Sequence, residues 1–211
     1  EEARSPLDLD SVWNETVSLY ETGLHPAIGL CIRHKGDVVL DRTIGHIENA
    51  PQGLTGAIAT PETLFNLFSA SKLLTAMVIH ALAEDELLAL TDRVVEYIPA
   101  FGLHGKQNIR IRNLLNHTAG IPDMPLGVDP VRILKTQQIP WDPIFALRPQ
   151  SAPGVNVAYN PVVAWVLLEE IVRRVTGLDL RTYARLRLLD PLGFEHMCYG
   201  VSREDVSRVA R

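Results

Sequence analysis

The sequence predicts an α/β fold in which an antiparallel sheet is flanked by helices and carries a mainly helical region. Three patterns lead to this prediction. Two β-prone runs surround a turn near the N-terminus, helical periodicity dominates residues 61–192, and one further β-prone run follows at residues 195–201. Because a stable sheet generally needs at least three strands and a covered face, we expect C-terminal strands beyond those of this chain. A C-terminal segment or a second chain would supply them.

The first segment, residues 1–60, holds a helix and the hairpin of the α/β part. Apolar side chains recur on one helical face of residues 11–20. The hairpin strands are predicted at Ala27–Arg33 and Val38–Arg42, since Gly36 can take the positive φ of a tight turn between them. Residues 45–60 show no periodicity and are interpreted as a loop that leads to the functional site.

The second segment, residues 61–192, is predicted to be mainly helical, and residues 193–211 are predicted to return toward the sheet. Residues 120–151 are rich in proline and predict a long, winding connection. Cys31 and Cys198 lie far apart without metal-type spacing, so we expect buried thiols, although a disulfide stays open. The predicted helices and the late strand are 69–84, 113–116, 162–176 closed by Gly177, 181–189, and the strand 195–201.

Composition excludes two classes of partner. The chain has 211 residues, of which 46% are hydrophobic, and its net charge of −5 is spread without a basic stripe. This argues against nucleic acid. The longest apolar run, Val162–Leu168, is far shorter than the roughly 20 residues of a membrane span. Residues 1–4 do not resemble a signal peptide, but a cleaved signal would leave the same sequence. The location therefore stays open between the cytoplasm and, after signal removal, the periplasm or the exterior.

A Ser-x-x-Lys sequence, Ser69 to Lys72, stands where a loop becomes a helix. Residues three apart on a helix share a face, so the Lys72 amine can reach the Ser69 hydroxyl. A serine becomes a nucleophile when a neighbouring base takes its proton, and the helix N-terminus favours negative charge beside it. The alternative is that Ser69 only caps the helix and Lys72 lies on its solvated face.

The motifs around this pair resemble one branch of a known superfamily. That branch is the class C β-lactamase and family VIII esterase branch of the serine β-lactamase-like, penicillin-binding superfamily. The resemblance covers nearly the whole chain and implies a β-lactamase/transpeptidase-like fold. Its motifs are Thr60–Phe65, Ser69–Lys72, Leu90–Val94, Tyr97–Pro99, Ile109–Pro122, Arg174–Gly177 and Leu189–Phe194.

The resemblance also implies a role for Tyr159, which stands where the family has the tyrosine of its Tyr-x-Asn element. There Tyr159 would move protons together with Lys72, and either residue could be the base. The alternative is a buried tyrosine with a satisfied hydroxyl. Pro161 replaces the family's asparagine and offers no amide donor. We expect Asn160 to be an N-cap and Pro161 to be the first residue of the next helix.

The family's third element, Lys-Thr-Gly or His-x-Gly on a late strand, has no counterpart in the sequence. In the family that strand supplies one of two backbone N–H donors of the oxyanion hole, and the nucleophile's own N–H, here that of Ser69, is the other. We therefore expect the stretch alone to be inactive. His117 could be a general base, but we interpret it as part of a turn.

Together these observations predict a serine hydrolase that acts through an acyl-enzyme on a small-molecule ester or amide. Ser69 would attack, Lys72 and Tyr159 would move protons, and no metal or organic cofactor would be needed. A carboxylesterase acting on small acyl esters is the first choice, because Pro161 departs from the lactamase pattern. A β-lactamase or D-amino-acid peptidase is the second. The alternative of another class is a non-catalytic scaffold or sensor with the same fold.

Overall fold

The structure is a computed structural model that describes residues 8–47, 56–121, 128–136 and 138–210. Its described residues fall into two compact units. The first comprises those of Glu1–Leu67 and Gly200–Arg211, and the second comprises those of Phe68–Tyr199. The three segments expected from the sequence, 1–60, 61–192 and 193–211, stay a prediction about how the whole protein is organised.

The first unit contains the predicted helix and hairpin. Helix α1 spans Leu9–Glu21 and is followed by strands β1, Ala27–His34, and β2, Asp37–Gly45. The strands are antiparallel, with Ala27 opposite Gly45 and His34 opposite Asp37. A two-residue turn joins them, and its Lys35 and Gly36 have φ of 52° and 97°, as a type I′ turn requires. The hairpin is thus confirmed, with a second strand that runs three residues beyond its predicted end.

The C-terminal part of the first unit adds one short contact and no further strand among its described residues. A 3-10 turn spans Asp205–Arg208, and Val209 forms a parallel bridge with Leu64. The predicted loop at residues 45–60 includes a single bridge between His46 and Ile58, while residues 48–55 lie outside the described chain.

The predicted strand at residues 195–201 is wrong, because this stretch forms bends. Its Tyr199 hydroxyl is hydrogen-bonded at 2.6 Å to the Thr75 hydroxyl within the second unit. Gly200 has a φ of 73°, which interrupts an extended backbone. The expectation of buried thiols is also wrong, because Cys31 and Cys198 are both exposed.

The second unit is helical in its described residues, as the sequence predicted. Its 3-10 and π turns are Phe68–Ser71, Pro99–Gly105, which is interrupted at Leu103 and His104, and Arg185–Leu189. Its α-helices are α2 Lys72–Glu84, α3 Val94–Tyr97, α4 Ile111–Leu115, α5 Pro130–Thr136, α6 Trp141–Ala146, α7 Val163–Thr176 and α8 Leu180–Ala184.

Most of these helices match their predictions. Helix α2 ends at Glu84 as predicted, and α7 is closed by Gly177, which has the left-handed φ of 74° expected of a helix stop. The helix predicted at residues 181–189 is instead α8 followed by a π turn. The proline-rich connection contains α5 and α6, while residues 122–127 and 137 lie outside the described chain.

The core of the second unit lies between α2 and α7. Each of these two helices contributes side chains with no exposed surface. The 3-10 turn Pro99–Gly105 and α4 add further buried apolar residues to the same core. No helix among the described residues is long and apolar enough to cross a membrane. The core side chains with 0% exposure include Val78, Ile79, Leu82, Val94, Phe101, Ile109, Ile111, Leu167, Leu168, Ile171, Val172 and Ala184.

One charged side chain is fully buried beside this core. Lys106 has 0% exposure, and its ammonium donates to the backbone carbonyls of Leu103, Phe145 and Leu147. Three carbonyl acceptors replace the water that a buried ammonium loses. Lys106 therefore ties the Pro99–Gly105 turn to the end of α6.

Candidate active site

Ser69 and Lys72 lie together at the start of α2, as their spacing predicted. Ser69 belongs to the 3-10 turn Phe68–Ser71, and Lys72 is the first residue of the α-helix. The Lys72 ammonium donates to Ser69 Oγ at 3.0 Å. Phe68, directly before the serine, has a φ of 45°. Such a backbone conformation is strained for a phenylalanine, and strain of this kind concentrates at functional sites.

Tyr159 reaches the same serine from a distant part of the chain. Its hydroxyl donates to Ser69 Oγ at 2.7 Å across a separation of 90 residues. The tyrosine lies in a stretch without regular secondary structure and is 54% exposed. The three residues singled out from the sequence thus share one hydrogen-bonded cluster, and Ser69 Oγ lies at its centre.

Two aromatic rings lie beside the lysine of this cluster. Lys72 Nζ is 5.3 Å from the centroid of the Tyr159 ring and 5.5 Å from that of the Trp165 ring. Both distances are within the range of a cation–π attraction. Sequence reasoning missed Trp165. Its signal was an aromatic residue in the first turn of the helix that follows Tyr159.

The phenol of Tyr159 is more acidic than an ordinary tyrosine. Its hydrogen bond with Ser69 and then the adjacent Lys72 ammonium lower the pKa of Tyr159 below 10.0. Hydrogen bonds and a positive charge both favour the phenolate. Tyr159 therefore forms a phenolate at a lower pH than a tyrosine that is surrounded by water.

His117 lies against the tyrosine. Its ring centroid is 4.9 Å from that of Tyr159 and 5.8 Å from that of Trp165. The residue has a φ of 58° in the turn after α4, so its interpretation as part of a turn is confirmed. Burial and then the charge of Lys72 lower the pKa of His117 below 6.5, which keeps the ring neutral near pH 7.

Asn160 joins the turn to helix α7. Its side-chain oxygen accepts from the N–H of Ala164 at 3.0 Å, and its amide nitrogen donates to the carbonyl of Ile121. The side chain is buried, with 4% exposure. Asn160 therefore satisfies one free N–H in the first turn of α7, as a capping residue does.

The predicted position of that cap is wrong by two residues. Helix α7 begins at Val163 with Val162 as its N-cap, so Pro161 precedes the helix instead of opening it. The Asn160 side chain bonds to the N–H of Ala164, although Pro161 and Val162 lie between Asn160 and the helix start. These two residues form a bend.

The hydrogen bonds given above for this site, all between described residues, involve no acidic side chain. Within the described residues no group of three His, Cys, Asp or Glu side chains could hold a metal ion. What the arrangement can do chemically is move a proton between the hydroxyls of Ser69 and Tyr159 beside a fixed cation.

The whole pattern can be compared with known proteins. Residues 17–211 match the sequence profile of the family described as Beta-lactamase. The chain belongs to the Beta-lactamase family. The resemblance inferred from the motifs is thereby confirmed, and so is the β-lactamase/transpeptidase-like fold, which solved structures of this superfamily share with the chain.

Three similar proteins show which kinds of protein this Beta-lactamase family member resembles. The Mycobacterium tuberculosis protein named Esterase/beta-lactamase LipL is 32% identical over 145 residues, which is 68% of the chain. A penicillin-binding protein homologue from Caulobacter crescentus is 27% identical, with a TM-score of 0.80 over 99% of the chain and 54% of its own. A family VIII carboxylesterase has a TM-score of 0.78 over 99% of the chain and 56% of its own, and its 24% identity indicates the fold alone.

The chain is shorter than these relatives. It spans 33% of the length of the mycobacterial protein and about half of the two solved structures.

Proposed function

We propose that the protein is a serine hydrolase whose nucleophile is Ser69. The observation that carries this proposal is that Ser69 Oγ receives hydrogen bonds from both Lys72, at 3.0 Å, and Tyr159, at 2.7 Å. A serine hydroxyl between a cation and an acidified phenol can lose its proton as it attacks a carbonyl carbon. The products of that step are an acyl-enzyme on Ser69 and a released alcohol or amine.

In this proposal Tyr159, as phenolate, takes the proton of Ser69. The lowered pKa of Tyr159 supports this assignment, because it makes the phenolate accessible at a lower pH than in an ordinary tyrosine. Tyr159 then returns the proton to the leaving oxygen when the tetrahedral intermediate collapses. In deacylation the same phenolate takes a proton from water, whose hydroxide attacks the acyl carbon, and Tyr159 returns that proton to Ser69 Oγ as the acyl bond to the serine breaks. Lys72 stays an ammonium and offsets the negative charge on the phenolate.

The oxyanion hole needs a second donor besides the Ser69 N–H. In the superfamily that the motifs resemble, a late strand carries it. We propose that a C-terminal segment, or a second chain, supplies this donor and completes the sheet. Without one such donor a serine hydrolase loses about 100- to 1,000-fold in rate, so we expect residues 1–211 alone to be nearly inactive.

Small acyl esters are the proposed substrates. Support comes from the two residues after Tyr159: Pro161 has no N–H, and both polar ends of the Asn160 side chain are engaged with Ala164 and Ile121. Pro161 therefore offers no amide to the side chain of a β-lactam, and the amide of Asn160 is buried, with 4% exposure, and bonded to Ile121. The relative with 32% identity bears the name Esterase/beta-lactamase, which agrees with an esterase and keeps a β-lactamase as the second candidate.

A hydrolysis panel on the natural full-length chain tests the proposal. We expect turnover of short-chain nitrophenyl esters, slow turnover of a chromogenic cephalosporin, and no release of D-alanine from a D-Ala-D-Ala peptide. Mass spectrometry should find the acyl group on Ser69. Fast cephalosporin or peptide turnover with negligible ester turnover would show the second candidate instead. A folded protein that neither turns over any substrate nor reacts with a fluorophosphonate would support a scaffold or sensor.

A further inference from the structure

We propose that His117 is a positioning residue that sets the place of the Tyr159 phenol. The kinetic part of this inference rests on the proposed function, whereas the structural part does not. His117 lies beside Tyr159 in space, although it precedes the tyrosine by 42 residues in the chain. It forms hydrogen bonds with the backbone on either side of the tyrosine.

Both neighbours of Tyr159 donate hydrogen bonds to His117. The N–H of Ala158 donates to the His117 carbonyl at 3.0 Å. The N–H of Asn160 donates to His117 Nδ1 at 3.2 Å. One residue thus holds the backbone before and after the tyrosine, and its ring lies 4.9 Å from the phenol ring, centroid to centroid. Such bracketing fixes the Cα of Tyr159 and the direction of its side chain.

His117 is itself held in place. Its N–H donates to the Leu114 carbonyl at the end of α4. On the other side, the Trp165 indole N–H donates to the Asn160 carbonyl at 3.2 Å, and the Trp165 ring lies 5.8 Å from the His117 ring. The contacts among His117, Asn160 and Trp165 form a closed loop, so the position of the tyrosine depends on α4 and α7 together.

The chemistry requires an acceptor at His117 Nδ1. Because the Asn160 N–H points to that nitrogen, the ring proton belongs on Nε2 and the ring is neutral. A protonated ring would present a donor to a donor and would add a charge near Lys72. The groups that face the ring are Lys72 from α2, Tyr159 with Asn160 from the segment before α7, and Trp165 from α7.

Two substitutions distinguish the effect of losing the acceptor Nδ1 from an effect on the backbone conformation of residue 117. His117→Gly and His117→Asn both tolerate the positive φ of this position. Asn keeps an acceptor oxygen at the place of Nδ1, whereas Gly removes it. The matched control is His104→Gly, because His104 is exposed and has the same φ of 58°.

The first readout is the ionisation of Tyr159, measured as the ultraviolet difference between each variant and the same variant carrying Tyr159→Phe. Tyr97, Tyr183 and Tyr199 have raised pKa values, so they ionise later than Tyr159. We expect the Tyr159 pKa to rise toward 10.0 in His117→Gly, where the phenol loses its place beside Ser69 and Lys72. It should stay low in His117→Asn and His104→Gly.

The second readout is ester hydrolysis by the full-length chain. In His117→Gly kcat should fall by roughly 10- to 100-fold, since a misplacement of about 1 Å at the reacting groups has effects of this size, while KM changes little. His117→Asn should restore most of kcat. An unchanged Tyr159 titration in folded His117→Gly overturns the inference, and so does a raised Tyr159 pKa in folded His117→Asn. If the wild type hydrolyses nothing, the proposed function fails, and the titration still decides the role of His117.

Discussion

The Tyr159 hydroxyl lies 2.7 Å from the hydroxyl oxygen of Ser69, although 90 residues separate the two in the chain. Lys72, only three residues after the serine, donates to the same oxygen at 3.0 Å. A short-range pair and a long-range contact therefore converge on one oxygen atom. This convergence makes Ser69 the first residue to test.

Ser69→Ala should abolish acylation. Removing the nucleophile of a serine hydrolase lowers kcat by about 10⁴-fold or more, because the remaining groups act as a unit with it. Fluorophosphonate labelling followed by mass spectrometry measures the loss directly. The control is Ser71→Ala, since the Ser71 side chain makes no capping bond to α2. Equal labelling of wild type and Ser69→Ala would place the nucleophile elsewhere.

The pH dependence of kcat/KM should show the ionisation of Tyr159. If its phenolate is the base, activity is lost as the pH falls through the lowered pKa of Tyr159 and is fully present above it. Tyr159→Phe should remove this ionisation and lower kcat by roughly 10²- to 10⁴-fold. Tyr183→Phe serves as the control. A profile that stays unchanged in Tyr159→Phe would instead assign the base to Lys72.

The sequence anticipated what is local in this site. Three-residue spacing at the start of a helix sufficed to place Lys72 beside Ser69. Tyr159 was reached only through the resemblance to a family, because no local pattern specifies a contact over 90 residues. The residues around that tyrosine could be identified only from the structure. His117 accepts a hydrogen bond from the backbone next to Tyr159, and the Trp165 ring lies beside Lys72.

The errors have a common physical cause. Residues 195–201 look like a strand by composition, but a side-chain bond between Tyr199 and Thr75 and the positive φ of Gly200 decide their conformation. Helix α7 begins after Pro161 because the Asn160 side chain already satisfies one of its free N–H groups. In both cases one specific hydrogen bond, long-range for Tyr199 and local for Asn160, outweighs the propensity that composition indicates.

The stability of the protein should decrease on mild acidification because of His117. Its folded-state pKa lies below 6.5, so the unfolded chain binds a proton that the folded chain does not. By linkage, the free energy of unfolding rises with pH across the interval between the lowered pKa and 6.5 and falls as the pH drops through it. Chemical unfolding at several pH values should show a smaller slope in His117→Asn than in wild type, and no such change in His104→Asn.

Lys106→Met should destabilise the second unit. The substitution keeps the length of the side chain but leaves the carbonyls of Leu103, Phe145 and Leu147 without their buried donor. Hydrogen bonds from a charged group contribute to the free energy of unfolding, and we expect this substitution to lower it by about 3 kcal/mol. Urea unfolding measures it, and Lys35→Met in the exposed hairpin turn is the control. Losses of equal size would mean that the three carbonyls find other partners.

Gly120 should tolerate no side chain, for a reason that goes beyond its backbone angle. Its φ is 76°, and an added Cβ would lie closer than 3.0 Å to the carbonyl oxygen of Ser151. Gly177 has nearly the same φ of 74°, but a Cβ there meets nothing within 4 Å. Gly177→Ala should therefore cost about 1 kcal/mol for backbone strain alone.

Gly120→Ala adds the collision with a backbone atom, which can be relieved only if the chain near Ser151 moves. That stretch is fixed by the bond from the Gln150 N–H to the Gly120 carbonyl at 2.8 Å. We expect an additional loss of roughly 1 to 3 kcal/mol relative to Gly177→Ala. The difference between the two free energies of unfolding measures the collision. If the two alanine variants lose the same stability, the turn after His117 is free to shift, and the fixed geometry proposed for Tyr159 would lose part of its support.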